Sequence, residues 1–247
     1  MHVDDIAGDL TEDSDSDGEE IHFDTICAIC DNGGILTCCD GKCFRSFHAT
    51  PDSEVAQDSN CETLCLNFDE LQVSYTCENC RYNLHQCFVC AELGSSNELS
   101  NTEVFRCSSA FCRHFYHPNC VARLLQQNDE NAQRILKERI FAGEPFICPA
   151  HRCAVCNQIE NDRVEDLQFA ICRRCPKSYH RRCLPRGIMF DHQAANGVEI
   201  RAWDGMLTKS RALLYCLEHE IDPELATPAR TILFRDPQEE WSEVTNL

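Results

Sequence analysis

The sequence predicts a tandem array of small, irregular α+β units that are stabilised by bound metal. Cysteine accounts for 21 of the 247 residues. The cysteines and histidines fall mostly in CxxC, CxxH and HxxC pairs, which suit tetrahedral zinc better than disulfide loops. A cysteine, four residues and a histidine recur as CFRSFH, CRHFYH and CPKSYH. This internal repeat predicts three equivalent zinc-binding units.

Acidic residues are concentrated at the two ends of the chain, whose formal net charge is -19. Residues 1–24 hold ten Asp or Glu and no Lys or Arg, and residues 220–247 hold seven acids against two arginines. Segments of low hydrophobicity and high charge do not order themselves. We therefore predict an acidic disordered lead-in over 1–24, an acidic linker over 222–247, and units at 25–82, 83–151 and 152–221.

Each unit is too small, and too poor in large apolar side chains, to be stabilised by a hydrophobic core alone. A structural zinc ion can contribute about 10 to 16 kcal/mol of apparent binding free energy to folding. Regular structure is therefore predicted to be short. The exception is residues 121–140, where apolar side chains recur at helical spacing, with a break predicted at Asn128 and Asp129.

Each unit contains eight candidate ligands, enough for two closed tetrahedral sites and about six zinc ions in all. The first unit has four cysteines, a histidine and three cysteines: Cys27, Cys30, Cys39, Cys43, His48, Cys61, Cys77 and Cys80. The other two end on histidine instead. They offer Cys87, Cys90, Cys107, Cys112, His117, Cys120, Cys148 and His151, and then Cys153, Cys156, Cys172, Cys175, His180, Cys183, Cys216 and His219.

Filled coordination shells leave no position for water or substrate, so we predict structural zinc and no enzymatic activity. No nucleophile elbow or phosphate-binding loop is present in the sequence. No apolar run reaches the roughly 20 residues that a membrane-spanning helix needs, and the acidic start is unlike a signal peptide.

Some ligand positions have alternatives. Cys38 adjoins Cys39, and neighbouring residues of a strand point to opposite faces, so we expect Cys39 to be the ligand because its spacing to Cys43 is tighter. Cys61 competes with Cys65 for the sixth position and is preferred.

Two histidines have competing roles. His114 could replace His117, but the repeat favours His117. His85 is expected to pack or to cap a linker, with a ligand role as the alternative.

The ligand order resembles a known family. Histidine falls fifth, as in PHD fingers, whereas RING domains place it fourth. The run ICAICDNGGILTCCDGKCFRSFH resembles a PHD finger, and RYNLHQCFVC with FICPAHRCAVC is similar to the PHD cluster of nuclear-receptor-binding SET-domain methyltransferases. YTCENCRYNLHQCFVC, FYHPNC and CLEHEIDPELATPAR resemble plant proteins of the Enhanced Downy Mildew family. The resemblance covers residues 27–219.

This resemblance implies tandem cross-brace PHD and extended PHD fingers, in which the first and third ligand pairs share one zinc and the second and fourth share the other. In the first unit it assigns Cys27, Cys30, His48 and Cys61 to one ion, and Cys39, Cys43, Cys77 and Cys80 to the next. It also implies a nuclear, chromatin-associated regulator that contributes to gene silencing or anti-silencing and to transcript processing.

Fingers of this kind often bind the histone H3 N-terminus as an added strand. By resemblance the peptide-binding residues are Asp31, Gly34, Ile35, Leu36, Thr37, Cys38 and Asp40. Asp40 matches an acid that accepts a hydrogen bond from an arginine of the tail, and Asp31 adds to the local acidity. Ile35 and Ser46 depart from the residues that usually select unmodified or trimethylated lysine, so the resemblance implies methylation-sensitive reading without naming a mark.

The alternative function is a docking platform for chromatin or RNA-binding regulators with little histone binding. A basic patch in the third unit comprises Arg173, Arg174, Lys177, Arg181, Arg182 and Arg186. It either neutralises the thiolates and acidic tails or binds DNA, RNA or an acidic partner. The overall charge disfavours duplex nucleic acid as the main ligand and favours a basic peptide. Only Arg152 separates His151 from Cys153, so we expect units two and three to form one rigid body.

Overall fold

The computed structural model describes residues 24–50, 61, 63–66, 74–109, 112–193, 199–208, 211–224 and 227–229. The predicted disordered lead-in, apart from residue 24, and most of the predicted acidic linker lie outside these residues. Within the described ranges, no helix combines the length and the apolar character that crossing a bilayer requires.

The regular elements are short and belong to a mixed α+β fold. The first unit and its exit contain β1 (Thr37–Cys38), β2 (Ser46–Phe47) and α1 (Glu78–Arg81). The second contains β3 (Leu84–Gln86), β4 (Leu93–Ser95), β5 (Phe105–Arg106), β6 (Phe115–Tyr116), α2 (Pro118–Leu125) and α3 (Glu130–Phe141). The third contains β7 (Phe169–Cys172), β8 (Ser178–His180), β9 (Met189–Phe190), β10 (Ile200–Trp203) and β11 (Ala212–Leu214).

Each unit is built on the same hairpin, with the third ligand at or just after the end of its first strand and the ligand histidine at or just after the end of its second. The antiparallel pairs are β1 with β2, β5 with β6, and β7 with β8. A parallel bridge then joins the first cysteine of each unit to the second strand of its hairpin, at Cys27, Cys87 and Cys153. The sequence repeat is therefore also a structural repeat.

The two predicted helices are confirmed as α2 and α3, and the chain breaks between them. Pro118 opens α2, where a missing N–H costs nothing. The side chain of Asp129 caps α3 by accepting a hydrogen bond from the N–H of Ala132 at 2.9 Å. Val121 and Ile140 are buried and pack in one cluster, which ties both helices to the second unit.

The third unit has a larger sheet than the sequence led us to expect. Its strands are short, but five of them pair in the order β8-β7-β11-β10-β9. Strand β11 runs parallel to β7, with Leu213 opposite Ile171. Buried side chains that include Phe190 and Leu214 form a core beneath this sheet. The third unit therefore has an apolar core in addition to its metal sites.

All three units pack together, so the expected rigid pair of units two and three is part of a larger body. Units one and two share a core through Phe47, Val104 and Phe115. Ile26 of the first unit packs with Leu213 and Tyr215 of the third. Across the short junction between units two and three, the hydroxyl of Ser178 donates to the carbonyl of Ala150 at 2.7 Å.

Candidate metal centres and peptide edge

Six groups of cysteine and histidine side chains come together in the described residues. In each, the potential ligand atoms all lie within 4.8 Å of one another. Five groups have the cross-brace pattern: Cys27, Cys30, His48 and Cys61; Cys39, Cys43, Cys77 and Cys80; Cys87, Cys90, His117 and Cys120; Cys107, Cys112, Cys148 and His151; and Cys153, Cys156, His180 and Cys183.

The remaining predicted ligands lie in the third unit. The sulfur atoms of Cys175 and Cys216 are 3.6 Å apart, and the backbone N–H of Cys216 donates to the sulfur of Cys172 at 3.5 Å. Nε2 of His219 is buried and has no hydrogen-bond partner within the described ranges. Coordination of a metal ion, with His219 as the fourth ligand, would satisfy this nitrogen.

The ligand histidines have the surroundings that a zinc site requires. Nε2 of His48 lies 3.0 Å from the carbonyl oxygen of Gly33, and Nε2 of His180 lies 2.9 Å from that of Ile159. Because a carbonyl only accepts, Nε2 carries the proton and Nδ1 is left as an acceptor. Nδ1 of His48 is 3.4 Å from the sulfur of Cys30. This carbonyl–histidine arrangement orients metal ligands in proteins, so the residues fit zinc.

The backbone also supports thiolate ligands. N–H groups of His117, Cys148 and His180 donate to the sulfurs of Cys87, Cys107 and Cys153 at 3.4, 3.3 and 3.4 Å. Such bonds stabilise the ionised sulfur that binds metal.

The structure brings one member of each competing cysteine pair into a metal group. Cys39 and Cys61 lie within groups. Cys38 is half-buried and accepts a hydrogen bond from the hydroxyl of Ser46 at 3.4 Å. Cys65 is exposed. Ligation by Cys39 and Cys61 stays a prediction that this geometry favours.

His114 and His85 lie outside the metal groups that contain their neighbours. The ring of His114 stacks on Phe88 with centroids 3.6 Å apart. His85 is buried and stacks on Phe115 at 3.8 Å, so the expectation that it packs is confirmed. Nε2 of His85 is 3.3 Å from the sulfur of Cys80. His85 of the second unit therefore contacts a metal group of the first unit, a role that the sequence did not reveal.

The predicted peptide-binding segment lies at a sheet edge in the first unit. The N–H of Cys39 donates to the carbonyl of Arg45 on the β2 side at 2.8 Å, so alternation turns the N–H of Cys38 to the opposite edge of β1. No strand in the described part of the chain pairs with that edge. Gly34 has φ +117, and Ile35 is 87% exposed. The segment Gly34–Cys38 therefore borders an open edge.

Asp40 follows this edge and is partly engaged. Its N–H donates to the carbonyl of Tyr75 at 2.8 Å, and its Oδ2 accepts from the N–H of Tyr75 at 2.9 Å. Asp40 is exposed, and Oδ1 has no hydrogen-bond partner among the described residues. One carboxylate oxygen thus remains available beside the edge.

Asp31 requires a correction, because it does not add to the acidity of the peptide edge. It is buried and faces the third unit, where it accepts from Nε of Arg173 at 3.0 Å, Nη2 of Arg174 at 2.5 Å and the hydroxyl of Tyr215 at 2.8 Å. Burial alone would raise the pKa of Asp31, but the two guanidinium groups lower it overall. Asp31 is a contact between units one and three.

The basic patch is largely paired within the protein. Besides Arg173 and Arg174, Lys177 pairs with Glu218, and Arg181 pairs with Asp204 at 2.5 Å. Arg182 and Arg186 form no salt bridge with the described residues and are exposed. The patch therefore does not present one continuous basic surface, which favours the neutralising interpretation over nucleic-acid binding.

Closed cysteine and histidine groups on a repeated hairpin define a tandem array of PHD-type zinc fingers that hold about six structural zinc ions. Residues 83–151 match the family model of the histone-lysine N-methyltransferase NSD-like PHD zinc finger. Residues 153–194 match the NSD-like variant PHD zinc finger. The matched modules are non-catalytic.

Three proteins illustrate what the chain is similar to. Protein ENHANCED DOWNY MILDEW 2 of Arabidopsis thaliana is 49% identical over 224 residues, which cover 89% of this chain and 17% of that protein. Histone-lysine N-methyltransferase NSD3 of Mus musculus is 31% identical, covering 64% of this chain and 9% of that protein. Increased DNA methylation 1 of Arabidopsis thaliana is 30% identical, covering 49% and 8%. The chain thus spans a small part of these relatives. The similarities are consistent with a chromatin regulator.

Proposed function

We propose that this chain is the reading module of a nuclear chromatin regulator and binds the N-terminal tail of histone H3 at the open edge of β1. The observation that carries the proposal is the outward N–H of Cys38 on a strand with one partner in the described residues. A peptide added there gains backbone hydrogen bonds. The 24 predicted cysteine and histidine ligands hold the zinc that keeps this edge in place.

Charge supports a basic peptide at this edge. Oδ1 of Asp40 can accept a hydrogen bond from an arginine or from the terminal amine. In the second unit the corresponding strand ends in Arg106, which disfavours a basic tail, and the guanidinium of Arg106 already donates to the carbonyl of Lys42 at 3.4 Å. We therefore assign the tail to the first unit.

The preferred methylation state is not part of this proposal. Ile35 is exposed where similar fingers carry an acid. It offers neither a charge nor an aromatic ring that would select one methylation state of lysine. Roles in gene silencing or anti-silencing and in transcript processing stay predictions from the resemblance.

Calorimetry with H3 N-terminal peptides, unmodified and methylated at several lysines, tests the proposal. Cys38→Pro removes the outward N–H, and Asp40→Ala removes the carboxylate. We expect each to weaken binding about tenfold, or ~1.4 kcal/mol. The matched control is Arg106→Pro, the same change before the third ligand of the second unit, which should leave H3 affinity unchanged. Native mass spectrometry should find about six zinc ions in every variant.

Two outcomes would contradict this assignment. No saturable binding by any H3 peptide would eliminate tail reading and leave the docking platform as the function. Equal losses from Cys38→Pro and Arg106→Pro would place the tail elsewhere than on β1.

A further inference from the structure

The three fingers enclose a cavity at their junction with a volume of about 470 Å³. All three units contribute to its walls, through residues such as Arg45 of the first, Phe88 and Arg113 of the second, and Ile171 of the third. Ligand-binding pockets typically have volumes of roughly 300 to 1,000 Å³. Neither Asp40 nor any residue of Gly34–Cys38 lines the cavity. It is therefore a second candidate site, separate from the β1 edge.

Cationic side chains outnumber carboxylates on the cavity wall. The lining arginines are Arg45, Arg113, Arg173, Arg174 and Arg211. The lining carboxylates are Asp24 and Glu160, and both are already paired: Asp24 with Arg173 at 2.9 Å, and Glu160 with Nε of Arg211 at 2.8 and 3.0 Å. Asp31, which does not line the cavity, pairs with Arg173 and Arg174, and Arg45 interacts with the sulfur of Cys43. The positive charge of the wall is therefore centred on Arg113.

The neighbouring zinc sites reduce this charge but do not offset Arg113 directly. A Cys₃His site with zinc bound carries one formal negative charge. Backbone N–H groups donate to Cys87 and Cys107 of the two sites beside the cavity, so part of that charge is stabilised within each site. Among the described residues, no sulfur accepts a hydrogen bond from Arg113, whose side chain donates to a carbonyl.

Arg113 is a lining cation without a carboxylate partner in the described residues. Its Nη1 donates to the carbonyl of Phe44 at 3.1 Å, and its guanidinium lies 5.8 Å from the centroid of the Phe44 ring. No carboxylate in the described residues forms a salt bridge with it. A half-buried charge of this kind gains from an incoming anion, with which it can form a bidentate pair.

A second donor and an apolar surface accompany Arg113. Nε of Arg174 is buried and has no acceptor in the part of the chain that the structure describes. Beside it, Phe88 stacks on His114, and these two rings with Ile171 and Leu207 also line an adjoining recess of about 40 Å³. The cavity thus combines an anion site with an apolar wall.

We propose that this cavity docks a segment of a partner protein in which an Asp or Glu side chain reaches Arg113 and a neighbouring apolar side chain packs against Phe88 and Ile171. A lysine- and arginine-rich tail is excluded by charge. The first finger's edge and the junction cavity therefore select ligands of opposite charge, and one chain can hold a basic tail and an acidic partner together. The site depends on all three fingers being present.

Selection from a phage-displayed library of random 12-residue peptides, on the full zinc-loaded chain, tests this inference. We expect enrichment of sequences with Asp or Glu beside Leu, Ile or Phe. Synthetic copies should bind at least tenfold more weakly to Arg113→Gln. Arg182→Gln, which removes an exposed arginine of the third finger, is the matched control and should leave affinity unchanged. Asp40→Ala should also leave it unchanged, which separates this site from H3 binding.

Arg113 also contacts Phe44, so its loss could disturb the packing of the fingers. Thr208→Trp covers that case, because it fills the cavity from a lining position and leaves all five arginines in place. It should weaken the selected peptides as strongly as Arg113→Gln, with the zinc count unchanged by native mass spectrometry. A basic consensus, no enrichment at all, or selected peptides that bind both cavity variants as well as the unaltered chain would overturn the proposal.

Discussion

The first and third fingers share the order of their first seven ligands but differ at the strand before the third ligand. In the first, β1 pairs with β2, and its other edge is open within the described residues. In the third, the equivalent strand β7 pairs with β8 on one side and with β11 on the other. A strand of the third finger's own chain thus occupies the edge that is open in the described part of the first finger. Ligand spacing identifies both as fingers, but strand pairing decides which can take an added strand.

The difference comes from the segment between the sixth and seventh ligands. In the third finger residues 184–215 supply β9, β10 and β11, and their buried side chains include Ile188, Phe190 and Leu214. In the first finger the corresponding segment, residues 62–76, is much shorter. A segment needs several buried apolar side chains to remain as a strand against a sheet. The longer insertion therefore makes an apolar core and closes the edge.

Loss of a zinc ligand should have the largest effect and should distinguish the two fingers. Cys43→Ala and Cys175→Ala each remove the fourth ligand of a finger, and with it a site worth about 10 to 16 kcal/mol of apparent binding free energy. We expect one zinc fewer in each by native mass spectrometry. Hydrogen exchange should show loss of protection throughout the first finger but retention in β10 and β11. Equal loss in both would mean that zinc alone holds the third finger.

The buried ion cluster between the fingers should come next. Asp31→Ala leaves Arg173 and Arg174 without their shared carboxylate, and breaking a buried pair costs about 3 to 5 kcal/mol. The free energy of unfolding from urea denaturation measures this loss. Asp40→Ala is the control, since Asp40 is exposed and should change stability by less than about 1 kcal/mol. A similar small change for Asp31→Ala would show that the first finger does not depend on the third.

Gly41 packs closely against a metal ligand of the first finger. A Cβ at this position would lie 2.7 Å from the sulfur of Cys80 and 2.5 Å from its Cβ. Gly41→Ala should therefore displace a metal ligand and destabilise the first finger by about 1 to 3 kcal/mol. Gly33→Ala provides the control, because its nearest contact would be 3.8 Å away. Zinc affinity under competition with a chelator should fall for Gly41→Ala and not for the control.

The smallest effect is expected at the exposed contact between fingers one and two. Nζ of Lys42 lies 2.6 Å from Oε1 of Glu98, and both side chains are largely exposed. Lys42→Ala should cost less than about 1 kcal/mol, and salt should reduce the difference further. If Lys42→Ala lowered the free energy of unfolding by more than this at high salt, the Lys42–Glu98 pair would join the two fingers, rather than the buried core around Phe115.

Local spacing was enough to predict the ligand pairs and the helices, and the resemblance to PHD fingers implied how the pairs combine. Ligands such as Cys27 and Cys30 are separated by only two residues, so the geometry of each pair depends on adjacent residues. The break at Asp129 is equally local, because a capping side chain acts on the next turn. Asp31 is a residue whose contacts local spacing could not predict. It follows a ligand directly, yet its partner Arg173 is 142 residues away.

The sequence by itself determined that three zinc-held fingers follow one another, because tetrahedral coordination needs only the right donors at short spacings. Only the tertiary structure decided that β11 closes the edge of the third finger, that Asp31 joins the first finger to it, and that Arg113 faces a shared cavity. Each of these depends on contacts between residues far apart in the chain. The free energy of these contacts comes from burial and charge pairing, which the spacing of residues along the chain does not reveal.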